Sequence, residues 1–475
     1  MVGQLVAKRV RDGNTYYSLS CNPDITLDLL AARRAGRTDF IFIGQVNSEL
    51  PYMAGDAELP AEDFDYILDS PRTDFPLFAP PREPVDLTEY AAGLHVARMI
   101  ADGGTIQIGI GSLGDAVAQA LVLRHRNNDA FREIAARLAP FISSTAALED
   151  TPFEQGLYGA SEMFAECFLD LYRAGILKRE VDGALLHAAF FVGSKAFYQS
   201  LRDMPESERA KFHMTAVSFV NELYGDEAAK RAARVKSRFI NNAMMATLLG
   251  DIVSDALANG KVVSGVGGQY NFVAQSFALE DARSIIMVRA TRNVKGRVTS
   301  NILWNYGHTT IPRHLRDIVV TEYGIVDLRE KSDCDVIAAM LSVADSRFQN
   351  ELLRQAKGAG KIEKAFEIPA AARDNSPERI ERALGPARTA GLIELFPFGA
   401  DFTQTEQRLM PALLRLASAS PIELAGLLLR GLGSHGSPAD TRDCLDRMGL
   451  ARPKGLLESI YTALLRGSLQ SSPKH

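Results

Sequence analysis

A chain of 475 residues has room for two or three domains with sizeable cores. Its 46% hydrophobic and 23% charged composition is that of a soluble globular enzyme, and 53 basic against 58 acidic side chains, a net charge of -5, exclude the basic signature of a nucleic-acid partner. Cys21, Cys167, Cys334 and Cys444 lie far apart, with no CxxC pair and no histidine at ligand spacing, which argues for free thiols in a reducing compartment and against a metal site.

The start, MVGQLVAKRV, has few apolar residues before Lys8, Arg9 and Arg11, and no apolar run reaches the roughly 18 residues of a membrane span, so a cytoplasmic location is expected. Phe40–Ile43, Thr105–Ile108, Lys261–Ser264 and Ser284–Val288 read as short strands, alternating with amphipathic stretches such as Asp115 to Leu123. The alternation predicts an α/β fold with largely parallel sheets.

Gly109-Ile110-Gly111-Ser112-Leu113-Gly114 follows the second strand and opens a helix, matching the G-x-G-x-x-G dinucleotide fingerprint in pattern and context. An NAD-dependent oxidoreductase is therefore one alternative. That fingerprint also needs an acidic residue about 20 positions on, at the end of the next strand, where Arg124 to Asp129 reads instead as a helix end and polar loop. A tight structural turn, or a loop whose N–H groups face another phosphate- or pantetheine-bearing ligand, are the other readings.

Leu157 to Phe164 reads as a strand running through a glycine turn into a helix capped by Ser161. A carboxylate in that first turn gains from the helix dipole, so Glu162 has a structural reading. It has a catalytic one too, because such a turn exposes a nucleophile at the carboxyl end of a sheet. Met204 to Arg209 is polar and turn-like and marks a boundary, giving domains 1–204 and 205–365. Gly265-Val266-Gly267-Gly268-Gln269 echoes the first glycine loop, and its N–H groups suit an oxyanion hole or a plain turn. From about 366 to 475 the signals are helical: Ser376 with Pro377, capping boxes at Thr403/Glu406 and Ser420/Glu423, and stops at Gly431 and Gly433.

Taken together, GVGGQYNF (265–272), RSIIMVRAT (283–291) and VVTEYGIVDLR (319–329) resemble the C-terminal domain of the acetyl-CoA hydrolase/transferase family. IFIGQVNSELPYMAGDAEL (41–59), TIQIGIGSLGDAV (105–117) and YGASEMF (158–164) look like pieces of its first domain, and the resemblance covers roughly residues 15 to 365. It implies two open, mostly parallel CoA-transferase-like domains with a small helical extension. It also implies CoA transfer through an acyl-glutamyl anhydride and a glutamyl-CoA thioester on Glu162, with Gly267 and Gly268 as oxyanion donors. The expected substrate- and CoA-binding residues are Gly109, Ile110, Gly111, Ser112, Leu113, Gly265, Gln269, Asn271 and Arg297. Lys295 and Arg313 are further candidates for the CoA phosphates, and His308 is a candidate for the acyl pocket or a plain surface histidine.

The implied partners are an acyl-CoA and a small carboxylate, acetate at the family level, without nucleic acid or membrane, in a homo-oligomer. No cofactor or metal is expected, CoA itself being substrate and product. Acetyl-CoA hydrolysis and an inactive acyl-CoA-binding fragment stand as alternatives. Three features depart from the family pattern: Asn271 in place of aspartate, Glu330 in place of glycine, and only 15 residues before Tyr16 where family members carry a long stretch. The last would deprive the first domain of strands and leave a sheet edge or core face uncovered.

Overall fold

The computed structural model describes residues 1–138, 141–142, 148–294, 296–433 and 439–470. Contacts divide the chain into two units, Met1–Ala290 with Asn301–Gly399, and Thr291–Ser300 with Ala400–His475.

The first unit opens with β1 (Val2–Arg11), β2 (Asn14–Ser18), β3 (Phe42–Val46), β4 (Glu58–Pro60) and β5 (Tyr66–Leu68), a five-stranded sheet ordered β4-β2-β1-β3-β5 with residues 2–11 at its centre. There follow β6 (Thr105–Ile108), β7 (Phe141–Ile142), β8 (Tyr158–Met163), β9 (Leu186–Phe190), β10 (Phe212–Met214) and β11 (Arg238–Ala243). After the short β12 (Met245–Thr247) and β13 (Ile252–Val253) come β14 (Arg283–Val288), the hairpin β15 (Thr291–Val294) and β16 (Arg297–Ser300), β17 (Ile302–Leu303), β18 (Ile318–Thr321) and β19 (Gly324–Asp327).

Nine of these form one sheet, ordered β10-β9-β8-β6-β11-β14-β18-β19-β7. Every pairing from β10 across to β18 is parallel. β6 and β18 are buried at every position, as strands covered on both faces are; β18 reads Ile-Val-Val-Thr, nearly all apolar, while β6 reads Thr-Ile-Gln-Ile and its Gln107 is met by Asn241. The sheet crosses the boundary expected near residue 205, since β6 and β11 pair directly through Ile106↔Arg238 and Ile108↔Ile240.

One expected strand is absent: Lys261–Ser264 is an exposed loop in which Val262 forms only an isolated bridge to Ala256. Its backbone pairs only with the short segment 255–257, through Leu257 N–H to the Lys261 carbonyl and Val263 N–H to the Asp255 carbonyl, and Val262 is 69% exposed. The two glycine loops are therefore unlike, the first leaving a buried strand and the second an exposed loop.

The helix Pro377–Thr389, capped by Ser376 as expected, packs in the first unit, with Ile380, Ala383, Leu384 and Ala387 buried. The second unit holds the β15–β16 hairpin and the helices Gln404–Ser418, Pro421–Gly433, Ala439–Arg447 and Leu456–Gln470. Both expected capping boxes form there: Thr403 and Glu406 exchange side-chain to backbone bonds, as do Ser420 and Glu423. Gly431 is not a stop but lies inside its helix. A Cβ there would fall 1.8 Å from the Ala463 carbonyl oxygen, and one on Gly467 1.9 Å from that of Leu427, so the pair lets two helices meet backbone to backbone.

Candidate active site

β8 carries Glu162 to the carboxyl edge of the nine-stranded sheet. The helix expected to begin at Ser161 starts instead at Cys167, because β8 stays paired with β9 through Met163 and the ladder continues with Phe164 N–H donating to the Phe190 carbonyl at 2.8 Å. Ser161 is thus a buried strand residue, and its Oγ has no hydrogen-bond partner among the described residues. Strand alternation puts Glu162 on the face of Tyr158 and Ala160, while Ser161 and Met163 point the other way.

On its own face Glu162 meets the start of the helix Gln269–Ala278. Asn221 Nδ2 donates to Glu162 Oε2 at 3.0 Å. A Cβ on Gly268 would lie 2.0 Å from Oε2, and one on Gly267 3.3 Å from Oε1; Gly267 also has φ +55°, so Gly268 is needed for space and Gly267 for its backbone as well. Burial pushes the Glu162 carboxyl up, bonds from Asn221 and the Gly268 N–H draw it down, and the charge of Asp24 adds to the rise, leaving it above the ordinary value. A half-buried carboxylate held this way, flush against glycine N–H groups, is short of solvent and fixed in direction, as an oxygen nucleophile requires.

The first glycine loop stands at the tip of the neighbouring strand. Gly109 N–H is taken by the Ile240 carbonyl at 3.0 Å, Gly111 adopts φ +96° as it enters the helix Ser112–Arg126, and Leu113 packs against the core. Ser112 Oγ donates to Glu89 Oε1 at 2.5 Å, and Ile110 is 55% exposed. Asn242 ties the two loops together: its Nδ2 donates to the Ile110 carbonyl at 3.3 Å and its own carbonyl accepts from Gln269 Nε2 at 3.0 Å. Asn271 donates to Glu222 at 2.7 Å, so the residue that departs from the family aspartate is an amide facing a carboxylate. Gly265 lies in the exposed approach to the second loop.

Arg297 is on β16 in the second unit, and Lys295 lies outside the described residues. His308 bonds Asp255 at 2.9 Å, a contact that explains it without a ligand. Arg313 sits in an exposed turn and pairs with Asp333 at 3.2 Å.

Local sequence gave no sign of Asn221, of Asn242, or of Arg82. Arg82 leaves a proline-rich loop to donate to Glu166 at 2.8 Å and Asp170 at 2.6 Å, with Asp115 at 3.8 Å. With Gly111, Met163 and Val192 it lines a cavity of about 220 Å³ on the face of β8 away from Glu162.

Glu330 has φ +57°, a backbone that favours glycine. Glu330→Gly is expected to raise stability by about 1 kcal/mol in urea unfolding, and no gain would mean that the strain is relieved in place.

Among known proteins, the acetyl-CoA hydrolase/transferase C-terminal domain matches residues 193–356. The 4-hydroxybutyrate coenzyme A transferase of Clostridium kluyveri is 26% identical over 326 residues, 67% of this chain and 65% of that protein. A probable butyrate:acetyl-CoA coenzyme A-transferase of Syntrophomonas wolfei is 24% identical over 67% of this chain and 64% of its own. The chain thus spans slightly less than two thirds of the length of these curated relatives. In fold it is similar to RipA from Yersinia pestis (TM-score 0.59, 24% identity, 76% of this chain and 71% of that one) and to a 4-hydroxybutyrate CoA-transferase from Porphyromonas gingivalis (TM-score 0.55, 20% identity, 75% of each). No helix among the described residues is long and apolar enough to cross a membrane. Residues 193–356 thus match the acetyl-CoA hydrolase/transferase C-terminal domain, and CoA-transferases are among the relatives of the chain.

Proposed function

We propose that this protein transfers CoA from an acyl-CoA to a small carboxylate, with Glu162 as the nucleophile. The observation that carries the reading is the Glu162 carboxyl group lodged against Gly267 and Gly268 and bonded by Asn221. A Glu162 oxygen attacks the thioester carbonyl and the C–S bond breaks, leaving an acyl-glutamyl anhydride and CoA thiolate. The thiolate then attacks the glutamyl carbonyl, the acyl carboxylate leaves, and a glutamyl-CoA thioester remains. An acceptor carboxylate reverses the two steps and departs as the new acyl-CoA. N–H groups of the second glycine loop offset the charge that develops on the carbonyl oxygen. Every electron pair comes from the carboxylates or the thiolate, so CoA serves as substrate and product and no further cofactor enters.

Water in place of the acceptor gives hydrolysis from the same intermediate, and the acceptor dependence of thioester consumption distinguishes the two. Intact-mass measurement after incubation with acetyl-CoA and brief borohydride treatment tests the nucleophile. A CoA-sized adduct, or its reduced alcohol, is expected on the parent chain and absent from Glu162→Ala. A parent that stays unmodified while turning over acyl-CoA would remove Glu162 from the chemistry.

A further inference from the structure

Asn221, whose Nδ2 bonds Glu162, stands at the end of the five-residue helix Val217–Asn221. Its Oδ1 is buried and has no hydrogen-bond partner among the described residues, so the backbone that carries the amide sets its direction. A helix this short leaves its last carbonyls without partners of its own. Here three side chains take them. Lys230 Nζ donates to the carbonyls of Ser218, Glu222 and Tyr224 at 3.5, 3.0 and 2.7 Å, and Arg234 Nη2 to that of Phe219 at 2.6 Å. Gln275 Nε2 donates to those of Val220 and Asn221 at 3.3 and 2.8 Å. Every carbonyl from Ser218 to Glu222 thus accepts from Lys230, Arg234 or Gln275, side chains of residues only 5%, 2% and 3% exposed.

Neither cation forms an ion pair among the described residues, and a buried charge is costly unless donors and acceptors are matched around it. The carbonyls of 218–224 supply that match, together with the Phe219 ring, whose centroid lies 5.0 Å from Lys230 Nζ. Gln275 joins the cage to the helix Gln269–Ala278, because its Oε1 accepts from Arg234 Nη1. One turn earlier on the same face, Asn271 donates to the Glu222 carboxylate at 2.7 Å. The helix that sets Gly268 against Glu162 therefore also grips the segment that carries Asn221.

We infer that Gln275, itself held by Arg234, is a positioning residue: it fixes the backbone of Asn221 and through it the bond to Glu162 Oε2. The inference rests on the Glu162 reading above. Lys230 and Asn271 brace the same segment. An amide at 271 suits this role, since an aspartate there would oppose Glu222 where Asn271 donates to it.

In the full chain, Gln275→Met, which fills the space without a donor, is expected to lower kcat for acetyl-CoA by about tenfold. It also moves the acid limb of kcat up by about half a pH unit or more, because the Asn221 bond draws the Glu162 carboxyl down while Asp24, the other charge acting on it, is untouched. Asn221→Ala gives both changes, and the double variant shows no more than Asn221→Ala alone, since the two act through one bond. Asn271→Ala, at a half-buried position, moves the limb the same way by a smaller amount and decides the matter should Gln275→Met fail to fold. Lost packing by itself lowers the folded fraction without moving the limb. Three outcomes overturn the inference. Either variant folded with its limb unmoved, while Asn221→Ala shifts, removes the positioning role and leaves Glu162 chemistry standing. Losses that add in the double variant make Gln275 a packing residue alone. A Glu162→Ala variant that consumes acyl-CoA as the parent does removes the Glu162 reading and this inference with it.

Discussion

On the proposed mechanism, Glu162→Gln is expected to lower acyl-CoA turnover by about 1,000-fold or more and at the same time to make the folded protein more stable at pH 7. The loss of turnover follows from replacing the attacking oxygen by an amide of the same shape. The gain in stability follows from the raised Glu162 carboxyl, which burial holds above its ordinary value of 4.5. A group raised in the folded state favours folding below its unfolded value, and that contribution disappears as pH climbs through the folded value. Glutamine has no charge to bury, so the variant exceeds the parent above this window and the two converge in acid. Thermal melts across pH, read beside turnover, check both halves. A variant that melts below the parent at pH 7 would show that the carboxylate is stabilised rather than strained by Asn221 and the glycine loop. On the proposed mechanism the same rise sets the acid limb of the rate, and turnover is expected to fall as the carboxylate takes up its proton.

Arg82→Met is the second large effect, expected to destabilise the first unit by about 3–5 kcal/mol because three carboxyl groups lose the cation they surround. Arg82 is 12% exposed, and Glu166, Asp170 and Asp115 lie within 2.6 to 3.8 Å of it. Burial pushes Asp115 up to about 7 in spite of Arg82. Its favourable contribution is therefore whole below its ordinary value of 3.8 and declines as pH rises from there through about 7. Without Arg82, Asp115 and Asp170 hold their protons to higher pH, so the deficit of the variant grows as pH rises through neutrality and shrinks in mild acid. Urea unfolding at pH 5 and pH 8 gives the comparison. An equal deficit at both would mean that lost packing, including the stack of Arg82 over Phe398 at 5.2 Å, accounts for the change.

Several features of this chain are written in short stretches of it. Ser284–Val288 announces a buried parallel strand because a strand covered on both faces needs apolar residues at successive positions. The caps at Ser376, Thr403 and Ser420 are legible because an N-cap works within three residues of chain. The order of motifs from Gly109 to Arg329 carries the family resemblance. Other features are set by partners distant in sequence. Ser161 precedes a carboxylate and comes two residues after Gly159, as a helix cap beyond a turn would, yet it lies in β8 because β9 supplies a ladder through Met163. Val262 and Val263 have the residues of a strand yet find only an isolated bridge to the segment around Ala256. Gly431 reads as a stop and serves as a contact, because Ala463 of another helix presses on it. Asn221, 59 positions from Glu162, and Arg82, 84 from Glu166, reach their carboxylates only through folding. Composition and periodicity mark many of the strands and helices, since those depend largely on neighbours a few residues away. Only the tertiary structure decides which carboxylates are buried, what bonds them and where the cations gather, because desolvation and charge act through space.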